Sequence, residues 1–537
     1  MRFTSSLWLL VATTTCSVVA QDNFEPIDFN ITEALELQGV NVSALPELAA
    51  LEERSSTVGC TIACESLKLL YGSNVLRQGS SPYQTFTDSY WSVQQASVDP
   101  FCIFKPGSDA DVSVAVLISR LTRCPFAVKS GGHAAFAGAS SINGGITISL
   151  QRLKQITISS DKKTVAIGPG NVWHDVYGAL QSSNIAVIGG RVADIGVGGL
   201  TLGGGISFFS NIYGFAADNV ASFDVVTASG LKVTATPSSY KDLYWALRGG
   251  GNNFGIVTKF TLNAFSLPGH QIWGGSRVHT PDQFDAVISA FVNLGVNSPT
   301  DTSASQIVSF AYAQSVGMDL VAADLVYAKP IANAPIFNEF FALTPIVDNT
   351  HVRTLTDLTE QFSASNPNGL RQTYWTATYK LDKALVTSVK DIFFDELNAI
   401  RNANGIVPAL TLQVITQGQL NAMSKNGGNP LGLPASAGPF LLVNLNMMWT
   451  DAADDSRILK ANSNIVKRSD ALAKQRNLYE DYLYMNYASQ FQAVIPSYGS
   501  SNQQKLKQIA TKYDPTGVYQ NLQPGYFKLN GAPSSGP

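Results

Sequence analysis

The chain has 537 residues, 45% of them hydrophobic and 14% charged, with a formal net charge of -3. That length exceeds one hydrophobic core and calls for two or more domains. The weak charge excludes a basic face for nucleic acid or an anionic membrane, so neither is expected as a partner.

Taken in chain order, the first twenty residues read as a signal peptide. Arg2 supplies the positive end, Leu7 to Val11 the apolar middle, and Val18-Val19-Ala20 a small-residue cleavage site. Cleavage after Ala20 and secretion are expected. The apolar run is too short to span a bilayer. Residues 21 to about 55 are polar and loosely patterned, and are expected to be an extended leader. Two glycosylation sequons, Asn30-Ile31-Thr32 and Asn41-Val42-Ser43, fall within it. Loss of Cys16 with the signal leaves Cys60, Cys64, Cys102 and Cys124. In an oxidising compartment these make two disulfides, with three possible pairings. A metal or redox role for Cys60 and Cys64 lacks a supporting histidine cluster.

Helical spacing runs from Asp109 to Arg120, and the apolar run Pro125 to Val128 reads as a strand. It leads into Lys129-Ser130-Gly131-Gly132-His133, followed by Gly138 and Ser140. Glycines after a strand let the backbone turn sharply and leave N–H groups free to face an anion. Strands are expected at Ile146-Leu150, Gln155-Ser159 and Thr164-Ile167, and a helix from Asn171 to Leu180. The stretch 189–205 holds eight glycines in seventeen residues, interleaved with Val192, Ile195, Val197, Leu200 and Leu202. The aliphatics exclude a flexible linker, and the glycines argue against an ordinary helix or strand. A folded loop packed on a flat ligand is expected. Gly196-x-Gly198 is followed by Thr201 where a dinucleotide fingerprint needs glycine, so a Rossmann site is not supported. A hairpin is expected from Phe223-Thr227 and Leu231-Ala235, and strands mixed with long helices follow Phe265. The absence of long βαβ regularity points to an α+β fold.

Both glycine clusters, together with Tyr213 to Val220, Trp245 to Thr258, Tyr484-Met485-Asn486-Tyr487 and Tyr513 to Tyr519, resemble the FAD-linked oxidoreductases of the berberine-bridge-enzyme type. The resemblance implies the vanillyl-alcohol-oxidase fold: a PCMH-type FAD-binding domain with a separate substrate domain, an antiparallel sheet covered by helices. It places the start of the FAD domain in 21–94, its body in 95–265, a substrate domain in 266–480 and a C-terminal return to the FAD domain in 481–537. It also implies FAD, joined covalently through an 8α-histidyl link to His133.

The cofactor would be held by Ser130, Gly131, Gly132, Gly138, Ser140, Gly190, Val192, Gly196, Gly198, Gly199, Gly203, Gly204, Gly205, Asn219, Ile256 and Val257. The pyrophosphate would take N–H donors from Ser130 to Gly132 and Gly203 to Gly205. Gly196, Gly198 and Gly199 would let backbone approach the isoalloxazine.

Three positions depart from the family pattern. Val192 stands where many members carry a second, cysteinyl link, so a single link is expected. Ile195 matches the residue that controls oxygen access, which leaves O2 or another acceptor open. Asn444, in the strand Leu441 to Met448, matches an acidic base, and an amide cannot take a proton. Tyr487 and Tyr484 are the alternative candidates, because a phenol can accept a proton if its pKa is lowered. His174, His270, His279 and His351 are expected to be structural, and Arg248 to buttress the glycines that follow it.

The expected function is a secreted, monomeric enzyme of specialised metabolism that dehydrogenates a small organic molecule. A carbohydrate oxidase forming a lactone and a weakly catalytic flavin-binding protein are the alternatives.

Overall fold

The structure is a computed structural model that describes residues 24–26, 28–45, 48, 56–532 and 536–537. The expected signal peptide lies outside these residues. Three sheets carry the fold. The first orders its strands Val75–Arg77, Cys102–Phe104, Ile146–Ser149 and Phe126–Lys129. The last three run parallel, because the helix Asp109–Thr122 carries the chain back between Cys102–Phe104 and Phe126–Lys129. Ser108 caps that helix by accepting from the Asp111 N–H. Helix Ser56–Tyr71 is tied to this unit by disulfides Cys60–Cys124 and Cys64–Cys102, which selects one of the three pairings.

The second sheet is antiparallel. Its order is Ile156–Ile158, Thr164–Ile167, Ile256–Ser266, Val220–Val226 and Lys232–Ala235, with Ile185–Val187 added along the long central strand. The last two strands of this order form the expected hairpin.

The third sheet is the largest. From edge to edge it runs Val347–Asp348, Gln271–His279, Met318–Tyr327, Ala304–Ala313, Val407–Ile415, Phe440–Trp449, Arg371–Lys380 and Tyr479–Glu480, all antiparallel. His351–Thr354 pairs with Gln271–His279, on the same edge as Val347–Asp348. Alternation along the strands sends Leu410, Leu412, Val443 and Leu445 into a core with helices Phe284–Asn297, Lys383–Leu397 and Asp455–Gln475. The intervening Thr411, Gln413, Asn444 and Asn446 face the other way, into a cavity. The mixed helix and sheet content is the α+β class expected.

Two local expectations are corrected. The segment after Phe24 is not simply extended: Ile31–Leu37 is a helix capped by the Asn30 side chain, and it buries Ala34 and Leu35. Glu25 pairs with Arg120 at 2.6 Å, with both side chains nearly sealed from solvent. Nor is the glycine-rich stretch wholly irregular. Val197–Leu202 is a short helix, held because Val197 and Thr201 are buried and Thr201 Oγ1 donates to the Val197 carbonyl at 2.8 Å.

Candidate functional site

A cavity of about 670 Å³ lies between the two glycine clusters and the polar face of the third sheet. On the glycine side, side chains from elsewhere fix the backbone. Ser130 Oγ donates to the Pro169 carbonyl at 2.5 Å and accepts from the Gly198 N–H at 3.1 Å, pinning the clusters together. A Cβ on Gly131 would lie 2.5 Å from Gly196 N, and one on Gly196 would lie 2.2 Å from Gly131 N. These two glycines are therefore demanded by each other, not by the face of a ligand. Gly199 is different. A Cβ there would meet nothing within 4 Å, and the residue lines the cavity.

The turn carrying His133 is clamped by Gln95, which is wholly buried. Its amide donates to the carbonyls of Gly132 and Ala134, at 3.2 and 3.0 Å, and accepts from the N–H and hydroxyl of Ser140. Gly132 has φ +81°, the left-handed region that glycine enters without penalty. The His133 ring stacks on Trp91, centroids 4.1 Å apart. Nε2 of His133 is buried without a hydrogen-bond partner among the described residues. The ring keeps some accessible surface, but it lines the cavity, so protein surrounds it. Burial lowers its pKa to about 4, leaving the imidazole neutral at physiological pH.

Ser130 to His133, Ser140, Val192, Ile195, Gly196, Gly198, Gly199, Ile256 and Val257 line the cavity, as do Asn444, Tyr484 and Tyr487. Gly138, Gly190, Gly203, Gly204, Gly205 and Asn219 do not line it. The Gly203–Gly205 run cannot offer its N–H groups to an anion. They donate to the Gly199 carbonyl, the Thr201 carbonyl and the Tyr484 hydroxyl. Gly190 is a glycine because a Cβ would lie 2.4 Å from the Trp173 ring. Asn219 donates to the carbonyls of Tyr213 and Phe215 and so shapes the neighbouring loop.

The two tyrosines differ sharply. Tyr484 is buried, and its hydroxyl accepts from the N–H groups of Gly205 and Ile206 at 3.1 and 3.0 Å. Burial pushes its phenol well above the usual range. It is a strut for the glycine-rich loop. Tyr487 is half-buried on the cavity wall, and its oxygen accepts from Arg191 Nη2 at 2.5 Å and Gln413 Nε2 at 3.0 Å. Two donors meet any negative charge that develops on this oxygen. Asn444 Oδ1 is buried and unpartnered among the described residues.

Arg191, Gln413, Gln95 and Asp324 escaped the sequence reading. Arg191 stood inside the glycine-rich loop, and Asp324 interrupts the apolar strand Val321 to Val326; both were visible oddities. Gln413 and Gln95 carried no signal of their own. Arg248 is wholly buried and joins Ala217 and Asp218 to the 425–428 loop through its guanidinium, a broader buttress than expected. None of His174, His270, His279 and His351 lines the cavity.

Comparison with known proteins identifies the ligand this cavity suits. A family profile for an FAD binding domain matches residues 100–236. The FAD-dependent monooxygenase tpcD of Cochliobolus heterostrophus is 36% identical over 493 residues, covering 88% of this chain and 94% of that protein. The chain belongs to the berberine-bridge-type FAD-linked oxidoreductases. A second relative in this family, the FAD-dependent monooxygenase sdcF of Emericella nidulans, is 34% identical and covers 88% of this chain and 99% of its own length. Two solved structures share the fold. They are 6-hydroxy-D-nicotine oxidase from Arthrobacter nicotinovorans (TM-score 0.68, 19% identity, 85% of this chain and 97% of that one) and berberine bridge enzyme from Eschscholzia californica (TM-score 0.68, 17%, 85% and 97%). The site fits FAD. The orphaned Nε2 of His133 and the open space over Gly199 lie on one cavity, and neither Gly131 nor Gly132 has its N–H taken by a backbone carbonyl among the described residues.

Proposed function

We propose that this protein oxidises a small, neutral organic molecule, with FAD attached through His133 alone and Tyr487, as the phenolate, taking the substrate proton. The observation that carries this reading is the Tyr487 oxygen, held on the cavity wall by Arg191 and Gln413. FAD, when bound, supplies the two-electron acceptor. Ser130 to Gly132 would hold it, and the sheet wall would hold the substrate. We further propose that residues 95–265 and 481–537 bind the cofactor and 266–480 the substrate, since the cavity lies between these stretches. Val192 cannot form a second bond to carbon, which supports a single link. The neutral His133 ring has a free lone pair, as a link requires. Two disulfides among the described residues support export to an oxidising compartment. No Trp among the described residues lines the cavity, which favours a small molecule over a sugar chain. Among the described residues no helix is long and apolar enough to cross a membrane.

The test is acid precipitation of purified holoenzyme followed by peptide mass spectrometry. Flavin is expected on the His133 peptide and no other, and His133→Ala should release it. Flavin lost wholly to the supernatant, or found on a second peptide, overturns the single link.

The names of the relatives favour a second reading, insertion of oxygen into the substrate. Turnover under 18O2 separates the two. Unlabelled product with stoichiometric hydrogen peroxide supports dehydrogenation; labelled product supports monooxygenation.

A further inference from the structure

Asp324 is the one carboxylate among the described residues that line the cavity, and Arg191 the one Lys or Arg. Asp324 stands on Met318–Tyr327, paired with Ser276 on one side and Ile307 on the other. A chain of side chains aims it. Arg353 Nη1 donates to Gln361 Oε1, Gln361 Nε2 donates to Ser276 Oγ at 3.2 Å, and Ser276 Oγ donates to Asp324 Oδ1. Oδ2 has no protein donor among the described residues. An oriented carboxylate with one oxygen unclaimed is an acceptor waiting for a donor.

Its position separates it from the proton-taking group. Ile307 neighbours Val308, which pairs with Leu412, so Asp324 lies two strands from Gln413, the residue that donates to Tyr487. Strands stand about 4.8 Å apart, which puts the two main chains roughly 10 Å from each other. Ile307, Val278 and Ala322 line the wall nearby. Arg191 is near enough for its charge to favour the Asp324 carboxylate, yet the two form no ion pair. A cationic substrate group would meet that guanidinium, whereas a neutral hydroxyl would not.

We propose that Asp324 selects the substrate by accepting a hydrogen bond from a neutral hydroxyl, borne on an otherwise apolar ring system, at the end remote from the carbon oxidised beside Tyr487. This rests on the cavity being the substrate site. Burial raises the Asp324 carboxyl to about 6. The acceptor form is therefore present above that pH and is lost as pH falls through it.

The test measures affinity without turnover, so it stands whether or not the proposed oxidation does. Holoenzyme is titrated with 6-methoxy-2-naphthol and with 2-methoxynaphthalene, which carry no carbinol carbon to oxidise, and the flavin absorbance change gives each Kd. Wild type at pH 7.5 should bind the hydroxylated probe at least ~10-fold more tightly, as a charge-assisted hydrogen bond provides. The preference should shrink at pH 5 and in Asp324→Asn, whose amide can still bond a hydroxyl but lacks the charge. Ser276→Ala, which only frees the carboxylate to rotate, should reduce it in part. Equal affinity of wild type for both probes, including no binding of either, overturns the proposal. So does a preference that is undiminished at pH 5 or in Asp324→Asn.

Discussion

The two walls of the cavity are built on opposite principles. The glycine wall is made of backbone. Ser130 to His133 and residues 189–205 approach so closely that Gly131 and Gly196 leave no room for each other's Cβ. The sheet wall is made of side chains. Thr411, Gln413, Asn444, Asn446 and Asp324 come from separate strands, and regular pairing brings them onto one face. The first wall tolerates almost no change in shape but says little about the substrate. The second keeps its shape under substitution, because the strands are held by ladder bonds and by the helices behind them, and its chemistry can be exchanged residue by residue. A family with one cofactor and many substrates fits that division.

The largest expected effect comes from the residue that bridges the walls. Tyr487→Phe removes the oxygen that Arg191 and Gln413 address. Flavin reduction by a substrate should slow by about 10²–10⁴-fold, the usual worth of a positioned base. Substrate Kd and flavin content should hardly change. Stopped-flow reduction measures the first, and an unaltered rate would remove Tyr487 from the chemistry.

Next is a pair within the glycine wall. Gly196→Ala places a Cβ 2.2 Å from Gly131 N, against backbone that cannot rotate away. A destabilisation of about 1–3 kcal/mol is expected, read as a lowered Tm of both apo and holo protein. Gly199→Ala meets nothing within 4 Å. It should leave the apoprotein Tm unchanged and lower flavin loading. If both variants behaved alike, the distinction between protein-packed and ligand-facing glycines would fail.

A pH measurement sharpens the same wall. The His133 ring in the folded apoprotein titrates near 4, below its ordinary 6.5. Between those values the unfolded chain binds the extra proton, so apoprotein stability should fall as pH drops from about 6.5 towards 4. His133→Gln should flatten that part of the Tm-against-pH curve.

The smallest effect is expected at Ile195, which lines the cavity and is half-buried. Ile195→Val removes one methylene. Reoxidation by air should quicken by a few-fold while reduction stays nearly constant, since a methyl-sized change matters in packed surroundings. Stopped-flow of both half-reactions decides it. Equal reoxidation in wild type and variant removes Ile195 as a gate.

The sequence by itself determined the cofactor side. Glycine has no substitute where backbones touch, as at Gly131 and Gly196, and is favoured where φ is positive, as at Gly132, so these positions show as glycines in the sequence. The pattern survived as a readable string, and so did the family it belongs to. The helical spacing after Ser108 was legible because it is a local periodicity. Roles that depend on which groups meet were not legible. The sequence offered both Tyr487 and Tyr484 as candidate bases, Tyr487 first, and it offered Gly203 to Gly205 as anion donors. Only the tertiary structure turned the Tyr484 hydroxyl onto the loop N–H groups, satisfying both at once. Likewise, Arg191 and Tyr487 are 296 residues apart, and Asp324 and Ser276 lie on different strands. Contacts at such separations are set by sheet order and strand register, which depend on every paired strand together and leave no mark in any short stretch of chain.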